Sequence, residues 1–284
     1  MRKQRFVIGL LFLSLMVTGC GNRGIPAIKQ ELMDKKMSVL MLTSASLSDP
    51  AEQTVSQTLL QWRDSNQIAF DWVKDLQTMD DSVAAKLKSK PYDYIYVIGN
   101  ELLPAANPLI SQNLTTGKWT LMQNQLDPSA SGAGGAVAKA AVFQIDPAKI
   151  DTLKNQWVSG VLATNTSVEW VTRADRPIPS AWAPSEEADH IVLLDNNQQW
   201  FQQLSLQTKQ HASSWIIFNA ATDAAHIQKA KTLGVSVMDL SDALSADLDW
   251  TAIMNNRLNG MLRHTWQSGA TTYSDQELKE LKLK

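Results

Sequence analysis

From residue 37 to about residue 266 the chain alternates short, continuous apolar runs with stretches whose apolar residues recur at helical spacing. That alternation constrains the fold more than any other feature. Strands buried on both faces and separated by helices close most simply as parallel sheets with helices packed against them. "MSVLMLT" (37–43) reads as such a strand, and "YDYIYVIGN" (92–100) is the strongest strand pattern in the chain. Further strands are predicted over 67–73, 118–124 and 140–145, with helices over 52–62, 80–90, 101–112 and 146–163. Val55, Leu59 and Trp62, at i, i+4 and i+7, give the first helix its apolar face. Asp146 followed by Pro147 is a helix start. The pattern then repeats with strands over 167–172, 190–195, 214–219 and 235–240 and helices over 197–210, 223–233 and 247–266. Two such runs predict an α/β protein of two lobes, with parallel sheets flanked by helices. The expected division is an N-terminal lobe over 36–145, a crossover helix over 146–166, a C-terminal lobe over 167–242, and a closing helix and tail over 243–284.

The N-terminus is of another kind. "MRKQR" is basic, and Phe6 to Met16 ("FVIGLLFLSLM") is an apolar run too short for a span, which needs roughly 20 residues. It fits the core of a secretory signal, roughly 7–15 residues long. "VTGC" follows, ending on the single cysteine, Cys20. The segment resembles the lipobox of bacterial lipoproteins. That resemblance implies cleavage after residues 1–19, a diacylglycerol on the Cys20 thiol, and membrane lipid as a partner. Residues 20–35, polar with Gly and Pro, are expected to tether the folded part to the outer face of the cell membrane, or to an outer membrane in a diderm host. Gly21 rather than Asp follows Cys20, so the inner-membrane retention signal of diderms is absent.

Removing that leader leaves 23 basic against 28 acidic residues, a balance that gives no reason to expect nucleic acid. No cysteine remains for a disulfide. The four histidines, His190, His211, His226 and His264, are scattered, and only Asp223 and His226 share a helix at i, i+3. Three or four ligands at recognisable spacing are wanted for a metal, so no metal, cofactor or catalytic group is expected. The Gly-rich stretch over 126–139 lacks both phosphate-loop spacings and reads as a loop. The chain is expected to be a monomer and not an enzyme.

In open α/β sheets ligands bind outside the carboxyl ends of the strands. Ser44 and Asp49 follow the first strand, Asn100 the third, and Asn219 its counterpart in the second half, so these are the candidate ligand contacts. Most of the ten tryptophans fall on apolar stripes and read as core. Trp182, in the Pro-rich "RPIPSAWAPS", is either a platform for a planar ligand at the cleft edge or a plug between lobes.

The segments "KKMSVLMLTSASLSDPAEQTVSQTLLQW", "YDYIYVIGNE", "AAVFQIDPAKIDTLKNQWVSGVLA" and "ASSWIIFNAATDAAHIQKAKTLGVSVMDL" resemble the basic membrane protein family of substrate-binding lipoproteins. That family includes nucleoside receptors of ABC importers and competence-associated regulatory lipoproteins. The resemblance implies a two-lobed, periplasmic-binding-protein-like (type I) fold and capture of a small polar, nucleoside-like ligand for an ABC permease. Glu52 and Gln53 stand where nucleoside-binding members carry an aromatic residue and Asn. A regulatory lipoprotein of the same fold, with no transported ligand, is therefore the second expectation.

Overall fold

Several helices begin where an aspartate side chain takes up free backbone donors of the first turn. In the computed structural model, which describes residues 36–126 and 139–284, strand β1 (Ser38–Ser44) leads into helix α1 (Asp49–Asn66). Pro50 and the carboxylates of Asp49 and Glu52 open α1, matching its positive end. The expected leader over 1–19, the tether over 20–35 with Cys20, and residues 127–138 of the Gly-rich loop lie outside the described residues. Strand β2 (Ala69–Leu76) and helix α2 (Asp81–Ser89) follow, α2 capped by Asp80 Oδ1, which accepts from the Ser82 and Val83 amides. Strand β3 (Tyr94–Ile98), helix α3 (Leu102–Ser111), and strands β4 (Lys118–Met122) and β5 (Ala140–Gln144) complete the first half. Helix α4 (Pro147–Leu162) starts at the predicted Asp146 cap, which accepts from the Ala148 amide at 2.9 Å.

The second half runs through β6 (Val168–Thr172), a 3₁₀ turn (Ser185–His190), β7 (Ile191–Leu193), helix α5 (Trp200–Gln210), β8 (Trp215–Phe218), helix α6 (Ala224–Lys231) and β9 (Ser236–Asp239). After it come β10 (Leu244–Leu248), helix α7 (Trp250–Leu262), β11 (Gly269–Thr272) and β12 (Leu278–Leu283).

Two parallel sheets result, as the alternation predicted. The first has the order β11-β5-β4-β3-β1-β2 and the second β7-β6-β8-β9. All pairs within both are parallel. Leaving β11 aside, each sheet winds outward in both directions from its first strand, so the strand order reverses beside β1 in one and beside β6 in the other. Both faces of the first sheet are covered. Val39 and Met41 pack into one core and Leu40 and Leu42 into the other, which is why β1 reads as an unbroken apolar run.

The closing segment departs from expectation. A helix was predicted over 247–266, but α7 is shorter, because β10 ends at Leu248, Asp249 caps the Ala252 amide at 2.9 Å, and His264 takes a left-handed φ of 55°. Ile253, Met254 and Met261 of α7 share a core with Val55, Leu59 and Trp62 of α1. Each of these fully buried side chains is worth about 1.5–3 kcal/mol over exposure. The tail beyond is also structured. β11 extends the first sheet beside β5, and β12 pairs antiparallel with β10. The Trp266 indole donates to Thr120 Oγ1 at 3.1 Å, and the Tyr273 hydroxyl donates to the Gln123 carbonyl at 2.7 Å. Residues 37–284 thus form one unit. Among the described residues no helix is long and apolar enough to cross a membrane.

Candidate functional site

Where strand order reverses, the chains leaving two adjacent strands turn to opposite faces, and a crevice opens at their carboxyl ends. In the first sheet that point lies between β1 and β3, which end at Ser44 and at Gly99–Asn100. A Cβ on Gly99 would stand 2.3 Å from the Ser44 Cβ, and its φ is +137°. Glycine is therefore what lets the two strand ends lie against each other.

A chain of hydrogen bonds occupies this edge. The Asn100 and Asn124 backbone amides each donate to the other's Oδ1, at 3.1 and 3.2 Å. Asn100 Nδ2 donates to the Gln125 carbonyl at 2.9 Å. Asn124 Nδ2 donates to Ser46 Oγ at 2.9 Å, and Ser46 Oγ lies 2.8 Å from Ser44 Oγ. Glu101 completes the group. Partial burial pushes its carboxyl up, but hydrogen bonds from Ser46 and Ser44 outweigh this and leave it below the ordinary carboxylate range. The edge offers hydroxyls, primary amides and one ionised carboxylate.

In the second sheet the reversal lies between β6 and β8. Asn219 follows β8; its Nδ2 lies 3.4 Å from the Arg176 and Pro177 carbonyls, and its amide donates to the Val171 carbonyl at 2.9 Å. Thr172 Oγ1 donates to the Arg176 carbonyl, tying down the loop that follows β6. Arg173 sits 3.5 Å from Asp195 and 3.2 Å from Asp175. Lys154 of α4 joins this edge. Burial, first, holds its ammonium below the usual lysine range; the nearby Arg176 charge adds to that, and Asp151 and Asp239 oppose it. This edge mixes cations with carboxylates, where the first is amide-rich with one carboxylate.

The predicted contacts divide accordingly. Ser44 and Asn100 come together at the first reversal, and Asn219 stands at the second. Asp49 is an exposed residue of the first turn of α1. Glu52, where the resembling family carries an aromatic, pairs with Lys74, whose Nζ lies 3.9 Å over the Trp72 ring. Trp182 is buried rather than set out as a platform for a planar ligand. It is 7% exposed, stacked on Trp170 with ring centroids 5.7 Å apart, and its indole donates to Asn155 Oδ1 at 2.7 Å. Its large apolar area is spent in the second sheet's core, so the Pro-rich loop folds inward around it. Asn124 and Lys154 were not singled out from sequence. Asn124 alone left a signal, as a short polar residue just past a strand.

No family model matches the chain, and no curated protein matches it. Solved structures do resemble it in backbone trace. One is a ligand-free, open substrate-binding protein with adhesive properties from Clostridium difficile, at 11% identity and a TM-score of 0.48, covering 87% of this chain and 91% of that one. Another is GanP, a glucose-galactose binding protein from Geobacillus stearothermophilus, at 11% identity and a TM-score of 0.44, covering 88% and 97%. A third is a transcriptional activator of the comK gene from Bacillus halodurans, at 10% identity and a TM-score of 0.39, covering 86% and 89%.

Proposed function

We propose that this protein is an extracytoplasmic solute-binding lipoprotein, held to the membrane by lipid on Cys20, that captures a small polar ligand and presents it to an ABC permease. The observation that supports this most is the pair of strand-order reversals, each lined by polar side chains at its carboxyl edge: Ser44, Asn100 and Asn124 in one sheet, Asn219 and the Arg173–Asp195 pair in the other. One edge supplies amides, hydroxyls and a carboxylate, the other an amide and paired charges of both signs, so the ligand class is a polar molecule with several hydrogen-bond donors and acceptors, such as a nucleoside, sugar or amino acid. The two lobes close on it by hinge motion, and two acyl chains on Cys20 suffice for stable anchoring where one is marginal.

A second reading, a regulatory lipoprotein of the same fold with no transported ligand, is favoured by one specific observation. The Ser44–Ser46–Asn124–Asn100 chain satisfies its own hydrogen bonds, and Glu52 is paired with Lys74 rather than replaced by a stacking ring. A thermal-shift screen of the detergent-solubilised full chain against nucleosides, sugars, amino acids and short peptides separates the two. A ligand at 100 times its Kd stabilises the fold by about 2.7 kcal/mol, a rise of about 5–10 °C in Tm. Silence across the whole panel from folded protein selects the regulatory reading.

A further inference from the structure

At the amino end of the second sheet, on the edge opposite Asn219, three ligand-type side chains converge that lie 21 and 42 residues apart in sequence. Glu169, from β6, has a side chain with no solvent exposure. His190 closes the 3₁₀ turn before β7, and His211 follows the last turn of α5. His211 Nδ1 lies 2.8 Å and His190 Nδ1 3.2 Å from the same Glu169 oxygen, Oε1. The two imidazoles stack with centroids 3.9 Å apart. One potential ligand atom from each of the three residues lies within 4.8 Å of the others.

As an all-protein arrangement the cluster is incomplete. Glu169 Oε2 and His190 Nδ1 are buried and lack any hydrogen-bond partner. A carboxylate sealed from water with one oxygen unanswered is costly to keep. From these observations we infer that Glu169, His190 and His211 form a zinc site, with water in the fourth position. Zinc at about 2.0–2.1 Å from each ligand in tetrahedral array sets neighbouring ligand atoms about 3.3 Å apart, and the two measured separations both lie below that value, so the ligands move slightly apart to admit the ion. Two imidazoles, a carboxylate and a water in the fourth position are a known zinc ligand set. The surroundings are those of a ligand set held from behind. Ser213 Oγ donates to Glu169 Oε1 at 2.7 Å, and Asp189 Oδ2 lies 3.6 Å from His211 Nε2, so a His211 that binds metal through Nδ1 turns its other nitrogen to a carboxylate. The His190 and His211 side chains are 20% and 13% exposed, which leaves the ion a way in. Binding displaces a proton from any protonated Nδ1 and joins β6, the β7 entry and the end of α5 through one ion.

The test uses untagged full chain in detergent, stripped with a chelator and titrated with zinc against a chromophoric competitor. The site predicts one zinc per chain, and a Tm rise of about 5–10 °C at 100 times the Kd. His190→Gln and His211→Gln each weaken binding at least about 100-fold, while His226→Gln and His264→Gln leave it unchanged. Should the first two variants fail to fold, the wild-type protein answers alone: zinc must protect His190 and His211, and not His264, from an imidazole-acylating reagent mapped by mass spectrometry. Absence of saturable binding, undiminished binding in folded His190→Gln and His211→Gln, or no selective protection overturns the site.

Discussion

Removing the Glu277 carboxylate should do more damage than any single change at the surface. Arg257 of α7 and Glu277, just before β12, form an ion pair in which the side chains are 10% and 3% exposed. Every partner of the pair belongs to the closing segment or to the sheet beneath it. Glu277 Oε1 also accepts from Asn256 Nδ2 at 3.0 Å, and Oε2 accepts from the Ser274 amide and hydroxyl at 2.9 and 3.0 Å. The Arg257 guanidinium lies 3.5 Å over the Phe143 ring of β5. In Glu277→Ala a buried guanidinium is left without its counter-charge, and two donors of the Ser274 turn lose their acceptor. Breaking a buried pair from one side costs about 3–5 kcal/mol, which for a domain of this size lowers Tm by about 6–20 °C. The double variant Arg257→Met/Glu277→Leu removes both charges and should recover most of the loss. Thermal and urea melts followed by circular dichroism measure both. A Glu277→Ala loss below about 1 kcal/mol, or a double variant no better than the single, would refute the view that this pair fastens the closing segment to the first sheet.

Three further outcomes follow from particular contacts. Trp182→Ala should cost about 3–5 kcal/mol as a core deletion, whereas Trp182→Phe should leave any ligand-induced Tm shift unchanged, because the ring is buried and stacked on Trp170. Tyr92 donates to Asp71 Oδ2 at 2.5 Å, and this bond, ahead of the Lys90 and Lys86 charges and against burial, holds the Asp71 carboxyl below its ordinary value. Tyr92→Phe should therefore lose about 1–2 kcal/mol at neutral pH. Because the folded pKa is depressed, that difference should be complete above about pH 4 and shrink as pH falls through the folded value, as read from urea melts across the acid range. Cys20→Ser, expressed in cells, should shift the protein from the membrane to the soluble fraction, checked by fractionation and immunoblot.

The parts of the fold legible in the sequence are those where one physical demand dominates. β1 and β3 are buried on both faces, so residues 39–42 of one and 94–98 of the other form unbroken apolar and aromatic runs. α1 buries one stripe, and Val55, Leu59 and Trp62 carry it openly. β11 was invisible because "GATT" joins the sheet at its edge with mostly exposed side chains, leaving no apolar pattern. β10 went unpredicted, and its last two residues were given to the final helix, since "LSADL" lies directly against a capped helix start. Ser44, Asn100 and Asn219 could be placed at strand ends from sequence because the apolar runs before them show where parallel strands stop. The three prolines near Trp182 left platform and plug both open, and the stack on Trp170 that buries it has no local signal. The Asp223–His226 spacing that hinted at a metal is a helix cap, with Asp223 Oδ1 accepting from the His226 amide at 2.8 Å. Glu169, His190 and His211 meet only because β6 pairs with both β7 and β8, a juxtaposition that no local spacing records.

If ligand is held at the carboxyl edges of both sheets, substitutions there must weaken it, and isothermal titration of the strongest ligand from the thermal screen measures that loss. Wild type, Asn100→Ala and Asn219→Ala would be titrated side by side, with circular dichroism establishing that each is folded. Binding by the wild type, weakened at least about tenfold by each substitution, as loss of a hydrogen bond worth about 1.4 kcal/mol requires, is the predicted result. Affinity untouched by both substitutions, or no heat of binding from any ligand in the panel, would contradict it.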